Sequence, residues 1–206
     1  MKLYNSIGPN PRMVRMFMHE KGMEIPLEAV DLMGGENRRE PYVSDVNAAG
    51  QLPALALDGG GVVCEITAIC EYLEDIQPEP HLIGATPEER AETRMWTRRV
   101  DLNIVEPLAN GFRYSDGAPL FKDRMRLIPQ AAADLKAIAQ EKLAWLDGLI
   151  EGQAYLVGGR FTMADILLFS FLDFGKAVGQ SIDPTLGNVN AWYARVAERE
   201  SAAATA

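Results

Sequence analysis

Gly50-Gln51-Leu52-Pro53-Ala54-Leu55 opens an apolar run that continues to Leu57, turns at Asp58-Gly59-Gly60-Gly61 and resumes as Val62-Val63-Cys64. Two short apolar segments around an Asp-Gly turn predict an antiparallel hairpin. Pro53 lacks the N–H that a central strand uses, so taken alone it reads as an edge-strand proline. Directly afterwards, Glu65-Ile66-Thr67-Ala68-Ile69-Cys70-Glu71-Tyr72-Leu73 carries helical spacing, predicting a helix over 67–76 with Ala68, Ile69, Tyr72 and Leu73 inward. Free amides of Ile66 and Thr67 at its start can receive an anion, and Glu65 can pair with an ammonium. The competing reading is that Glu65 or Thr67 simply caps the helix.

Working outward, Lys2 to Tyr4 reads as a strand, Asn5 to Pro11 as a loop of turn formers, and Arg12 to Gly22 as a helix. Ile25 to Val30 is a second strand, and Arg38 to Ala48 holds a short irregular helix. The order βαβαββα ends in a hairpin rather than a crossover, which fits a thioredoxin-like half rather than a doubly wound sheet. Gln77-Pro78-Glu79-Pro80 breaks the pattern with two prolines in four residues. Beyond it, 87–110, 128–150, 162–178 and 188–199 all have helical spacing, and the tail 201–206 is expected to fray. The expected fold is therefore α/β plus all-α: a thioredoxin-like domain over 1–77, a linker over 78–86 and an all-helical domain over 87–206.

A net charge of −9 argues against a nucleic-acid surface, which needs clustered Lys and Arg, and against anionic membranes. Met1-Lys2-Leu3-Tyr4 enters a strand pattern without the features of a signal peptide, and no apolar run approaches a membrane span. A cytoplasmic location is expected. Cys64 and Cys70 have apolar neighbours and read as small buried hydrophobes. His19 and His81 lack metal-ligand spacing, so no metal site is expected.

The arrangement Asn47-x-x-Gly-Gln-Leu-Pro-Ala-Leu55, Asp58-Gly59, then Glu65-Ile-x-Ala-Ile-x-x-Tyr-Leu73 resembles the N-terminal domain of soluble glutathione transferases, bacterial members included. Glutathione carries two carboxylates and one ammonium, matching the groups above. By that resemblance Pro53 follows a cis bond and the Leu52 main chain bonds the tripeptide backbone. Glu65 and the Ile66 amide hold the γ-glutamyl end, and Gln51 with Arg38 or Arg39 lies near the glycyl end. Read without the resemblance, those arginines are solvated surface charge. Ile66 stands where the family has Ser or Thr; its amide and the adjacent Thr67 remain. A second match, Gly159-Arg160-Phe161-Thr162-Met163-Ala164-Asp165, resembles a structural capping box in the family's helical domain.

A thiol with a cysteine-like pKa near 8.5 must be stabilised as its anion, and each unit of depression takes about 1.4 kcal/mol. The resemblance places the activating group within Tyr4 to Arg12, where Gly8 occupies the usual serine or cysteine position. Asn10, after Pro9, is the preferred thiolate donor and also a candidate N-cap; Ser6 is second and Tyr4 third. The resemblance further implies a substrate site at Asn110, Phe112 and Tyr114, an aromatic pair that otherwise reads as core. It implies a homodimer with helices near 90–101 facing the partner. The expected activity is attack of glutathione thiolate on a small hydrophobic electrophile, as in detoxification. Rival expectations are glutathione-dependent disulfide or peroxide reduction, and a non-catalytic binding protein that kept the fold.

Overall fold

In the computed structural model, which describes residues 1–206, β1 (Lys2–Asn5) leads into α1 (Pro9–Glu20) and then into β2 (Leu27–Ala29). A 3₁₀ turn (Glu36–Arg38) and α2 (Tyr42–Asp45) follow, then β3 (Ala54–Ala56), β4 (Val62–Cys64) and α3 (Ile66–Ile76). The sheet order is β2-β1-β3-β4, with β1 parallel to β2 and antiparallel to β3, and β3 antiparallel to β4. This is the βαβαββα order expected. Strand β2 is shorter than the reading of 25–30 because Pro26 has no N–H. Its carbonyl still accepts from the Leu3 N–H, and the Val30 N–H closes the far end on the Asn5 carbonyl. Helix α1 buries Met13, Val14, Met16 and Phe17 against α3, which buries Ile69, Cys70 and Leu73.

The second half is helical: α4 (Pro87–Val100), α5 (Glu106–Arg113), α6 (Ala118–Phe121), α7 (Ala132–Leu149), α8 (Met163–Ala177) and α9 (Gly187–Ala197). Periodicity predicts one helix over 87–110, but a π turn at Asp101–Val105 separates α4 from α5. Pro107 is the reason: it cannot donate to Asn103 and its ring crowds that carbonyl, so the chain widens by a residue. Thr86 caps α4 by accepting the Glu89 N–H at 3.2 Å. Thr162 and Asp165 form the expected capping box at α8. The fully buried Asp165 carboxylate accepts from the Thr162 N–H (2.9 Å) and hydroxyl (3.1 Å), the Leu156 N–H (2.9 Å) and Trp192 Nε1 (2.8 Å). Burial pushes this carboxyl up, and those donors pull it back. No helix is long and apolar enough to cross a membrane.

The chain divides into two compact units, Met1–Leu82 with Glu200–Ala206, and Ile83–Arg199. The terminal residues thus belong with the first unit and not with the helical domain over 87–206. Nor does the tail fray as expected: α10 (Glu200–Ala204) lies on α1, and Ser201, Ala202 and Thr205 are buried. Five residues do not hold a helix by themselves. Its end carbonyls are taken by α1, where Arg12 donates to the Ala202 carbonyl (3.2 Å) and Arg15 to that of Thr205 (3.1 Å). The stretch expected as a linker is also anchored. Buried Lys21 pairs with buried Glu74 and donates to the carbonyls of Gln77 (2.8 Å), Pro78 (2.9 Å) and Pro80 (2.7 Å).

Candidate functional site

One transverse row of the sheet organises the site. Tyr4 pairs with Ala54, and Ala54 pairs with Cys64. Because β1 and β4 run opposite to β3, this row is the exit of β1, the entry of β3 and the exit of β4. The loop to α1, the Leu52–Pro53 peptide and the start of α3 therefore meet at one edge. Ser6, Asn10, Gln51, Leu52, Pro53, Glu65, Ile66 and Thr67 all lie within a few residues of it.

The Leu52–Pro53 bond is cis. Sheet pairing begins at Ala54, so the main chain of Leu52 lies outside the ladder. The preceding residues are held from below by buried polar side chains, of which the sequence motif includes only Asn47. Asn37 Nδ2 donates to the Gly50 carbonyl (2.6 Å), and Tyr42 Oη (2.8 Å) and Asn47 Nδ2 (3.1 Å) both donate to the Gln51 carbonyl. Burial pushes the Tyr42 phenol well up, so it stays a donor. Its ring sits with Val30 and Leu52 and meets Tyr4 edge-on at 5.8 Å. Tyr4 is thereby part of the packing under the loop, with Lys2 Nζ 4.7 Å from its ring centre. Gly50 has φ 59°, a left-handed conformation, and leaves no room for a side chain.

At the third corner, Glu65 precedes α3 with φ 70° and ψ 125°, the one non-glycine residue of the chain with positive φ. Such a conformation costs about 1–3 kcal/mol and clusters at ligand sites. Its exposed side chain does not cap α3, so the capping alternative fails for Glu65. The first turn of α3 holds no acidic residue, leaving the Ile66 and Thr67 amides facing an uncompensated helix start. Cys64, just before, is half-buried, and its thiol is pushed up by burial and by the Glu65 charge; Cys70 is fully buried.

At the α1 end the cap is Gly8, with φ 106°, and no side chain bonds the first turn. Asn10 is therefore not the N-cap expected of it. Pro9 lacks only an amide that is unpaired at a helix start, and its fixed φ suits the first helical position, so α1 begins ahead of Asn10. Ser6 Oγ donates to the Val30 carbonyl at 2.9 Å, which commits its single O–H to joining β1 and the end of β2.

Of the arginine pair, Arg39 folds back on its own loop, donating to the carbonyls of Gly34 and Gly35. Arg38 runs beside Gly50, its Cδ 2.9 Å from where a Gly50 side chain would begin. Asn110, Phe112 and Tyr114 belong to the second unit. There Asn110 bridges Glu106 (2.7 Å) and Arg113 (3.0 Å), and Phe112 stacks edge-on with Phe121 (6.4 Å) and Phe174 (5.0 Å). Phe112 is thus engaged in an aromatic cluster, and Tyr114 ends α5 half-buried.

A thioredoxin-like half carrying this edge, joined to a helical half with a buried capping box, defines a fold class of its own. Comparison with known proteins agrees. Residues 7–76 match the family model "Glutathione S-transferase, N-terminal domain" and residues 119–200 match "Glutathione S-transferase, C-terminal domain". The chain is 30% identical to Glutathione S-transferase GstA of Escherichia coli O157:H7, over 97% of this chain and 94% of that protein. It is 32% identical to Protein LigF of Sphingobium sp., over 97% and 90%. The structure is similar to crystalline Gtt2 of Saccharomyces cerevisiae, with TM-score 0.93 and 26% identity over 100% of both chains. The chain belongs to the glutathione transferase family, enzymes whose co-substrate is glutathione.

Proposed function

We propose that the protein is a glutathione S-transferase in which the first unit holds glutathione along the Tyr4–Ala54–Cys64 edge and drives its thiolate onto a small hydrophobic electrophile. The observation that carries this reading is the convergence of three main-chain features on that one row: an unladdered Leu52, the open start of α3 and the open start of α1. Leu52 bonds the tripeptide backbone. Glu65, with the Ile66 and Thr67 amides, receives the ammonium and carboxylate of the γ-glutamyl group, and Gln51 and Arg38 serve the glycyl carboxylate. Arg39, turned to its own loop, contributes less.

The thiol then lies at the start of α1, where the Asn10 side chain, the single main-chain N–H of Asn10 left between Pro9 and Pro11, and the positive end of the helix dipole favour its anion. The thiol proton leaves to solvent. The sulfur lone pair forms a carbon–sulfur bond, and the leaving group departs with the electrons of the broken bond. Aryl halides, epoxides and ether carbons are the substrate classes proposed, with Asn110, Phe112 and Tyr114 as their contacts. The active form is a cytoplasmic homodimer, to be checked by analytical ultracentrifugation. The test of function is to titrate the ultraviolet absorbance of the bound thiol and then screen a panel of electrophiles. A thiol pKa at or above the free value, with no conjugate formed, overturns the proposal.

A further inference from the structure

Asn37 is almost wholly buried, with 1% of its surface exposed, in a turn of three residues that precedes the glutathione motif. Its Nδ2 donates to the Gly50 carbonyl at 2.6 Å, while its Oδ1 is buried without a hydrogen-bond partner. Burying an amide with its acceptor unused costs free energy, so volume filling alone would select an apolar residue of similar size. The contact with Gly50 is what the amide supplies.

The same contact is made twice over. A side chain on Gly50 would begin 2.8 Å from the Asn37 carbonyl oxygen and 2.9 Å from Arg38 Cδ. The Glu36–Arg38 turn and the loop before Pro53 are therefore locked together, by a hydrogen bond on one side and by the absence of a Cβ on the other. Tyr42 and Asn47 fix the next carbonyl, that of Gln51. The Asn37 side chain joins the loop presenting Leu52 directly to the turn carrying Arg38.

We infer that Asn37 is a positioning residue for glutathione, setting the Leu52 main chain and the Arg38 side chain in one register through Gly50. The inference rests on the proposed function above. It touches neither the thiol nor the electrophile, so its loss acts on ground-state binding and leaves the chemical step alone.

The test compares wild type and Asn37→Ala by calorimetry with glutathione and by steady-state kinetics with an aryl halide. The expected result is a rise of about tenfold in Kd and in KM for glutathione, with kcat at saturating glutathione within about twofold and an unchanged bound-thiol pKa. A purely structural residue would lower kcat with the folded fraction and leave KM in place; that result overturns the inference, as does an unchanged KM. Should Asn37→Ala not fold, Gly50→Ala strains the same contact from the other side without emptying a buried site. It must show the same split, and an unchanged KM there overturns the inference too. If wild type binds no glutathione, the functional proposal falls and takes this one with it; if wild type binds and the variants match it, only this inference falls.

Discussion

At the Leu52 end of the candidate site, Asn37, Tyr42 and Asn47 all donate from buried positions to the carbonyls of two consecutive residues. At the α1 end, Gly8 starts the helix without a side-chain bond and is followed by Pro9 and Pro11. One end is a backbone held rigid by buried polar groups, and the other is a helix start left open. The difference follows from the work proposed for each. A tripeptide backbone is recognised by a fixed geometry of donors and acceptors, which needs every supporting carbonyl tied down. A thiolate is a diffuse anion that needs positive potential and space, which the helix dipole and the one N–H left at Asn10 between the two prolines supply.

The largest expected effect comes from the corner where binding has a visible cost. Glu65→Gly removes the proposed partner of the ammonium and also relieves the positive φ of Glu65. Losing a charge-assisted bond of about 1.5–3 kcal/mol predicts glutathione binding weaker by about 10- to 150-fold. Relief of strain, partly offset by the flexibility of glycine when unfolded, predicts a gain of about 1 kcal/mol in denaturant unfolding. Arg38→Ala, which removes a longer and less confined charge, weakens binding less than Glu65→Ala. Calorimetry giving the reverse order would break the division of roles between the two ends of the ligand.

Next comes Asn10→Ala. The side-chain amide is proposed to favour thiolate over thiol, so its loss raises the bound thiol pKa by about one unit and slows conjugation about tenfold below that pKa. Glutathione affinity stays nearly intact. Because Gly8 holds the cap position, thermal unfolding stays unchanged as well. A drop in melting temperature would show that Asn10 supports the helix start after all.

Much of this architecture was legible in the sequence because it is local. Asp58-Gly59-Gly60-Gly61 dictates the hairpin, Pro53 marks the strand entry, and Thr162 with Asp165 announces the start of α8. The candidate site was legible where it is a contiguous motif, 47–55 and 65–73. What escaped depends on partners distant in the chain. The Ala-rich tail favours a helix but is too short and too uniform to hold one alone, and it is ordered by Arg12 and Arg15, 190 residues away. Lys21 looks like a surface lysine until the carbonyls of 77–80 close over it. Asn37 sits in a turn whose composition predicts exposure, and its bond to the Gly50 carbonyl lies on the buried side. The start of α1 was misplaced because Pro9 and Pro11 read as loop formers, whereas a proline in the first turn removes only donors that have no partner there.

A cap in the second unit gives a scale for stability changes remote from glutathione. Thr162→Ala takes the N-cap hydroxyl from the first turn of α8 and one donor from the buried Asp165 carboxylate, leaving the Leu156, Trp192 and main-chain donors in place. The expected loss is about 0.5–2 kcal/mol in denaturant unfolding. Glutathione affinity and thiol pKa stay as in the wild type, and a change in either would couple the cap to the site.

Ser6→Ala carries the smallest expected effect and separates structure from chemistry most sharply. Ser6 lies nearer the exit of β1 than Asn10 does and was a candidate thiolate donor on sequence grounds. Its hydroxyl has one proton, and at 2.9 Å that proton is given to the Val30 carbonyl. Stabilising an anion requires the same proton, because the oxygen lone pairs would repel a thiolate. To serve the sulfur, Ser6 would have to abandon a part-buried carbonyl, giving up about as much as it gained. The expected result is a loss of about 0.5–1.5 kcal/mol in unfolding free energy, with the bound-thiol pKa and the conjugation rate per folded molecule unchanged. If the thiol pKa instead rises in Ser6→Ala while Asn10→Ala behaves as wild type, the hydroxyl rotates to the sulfur when glutathione binds. The start of α1 would then be built around a side-chain donor, like the other end of the site.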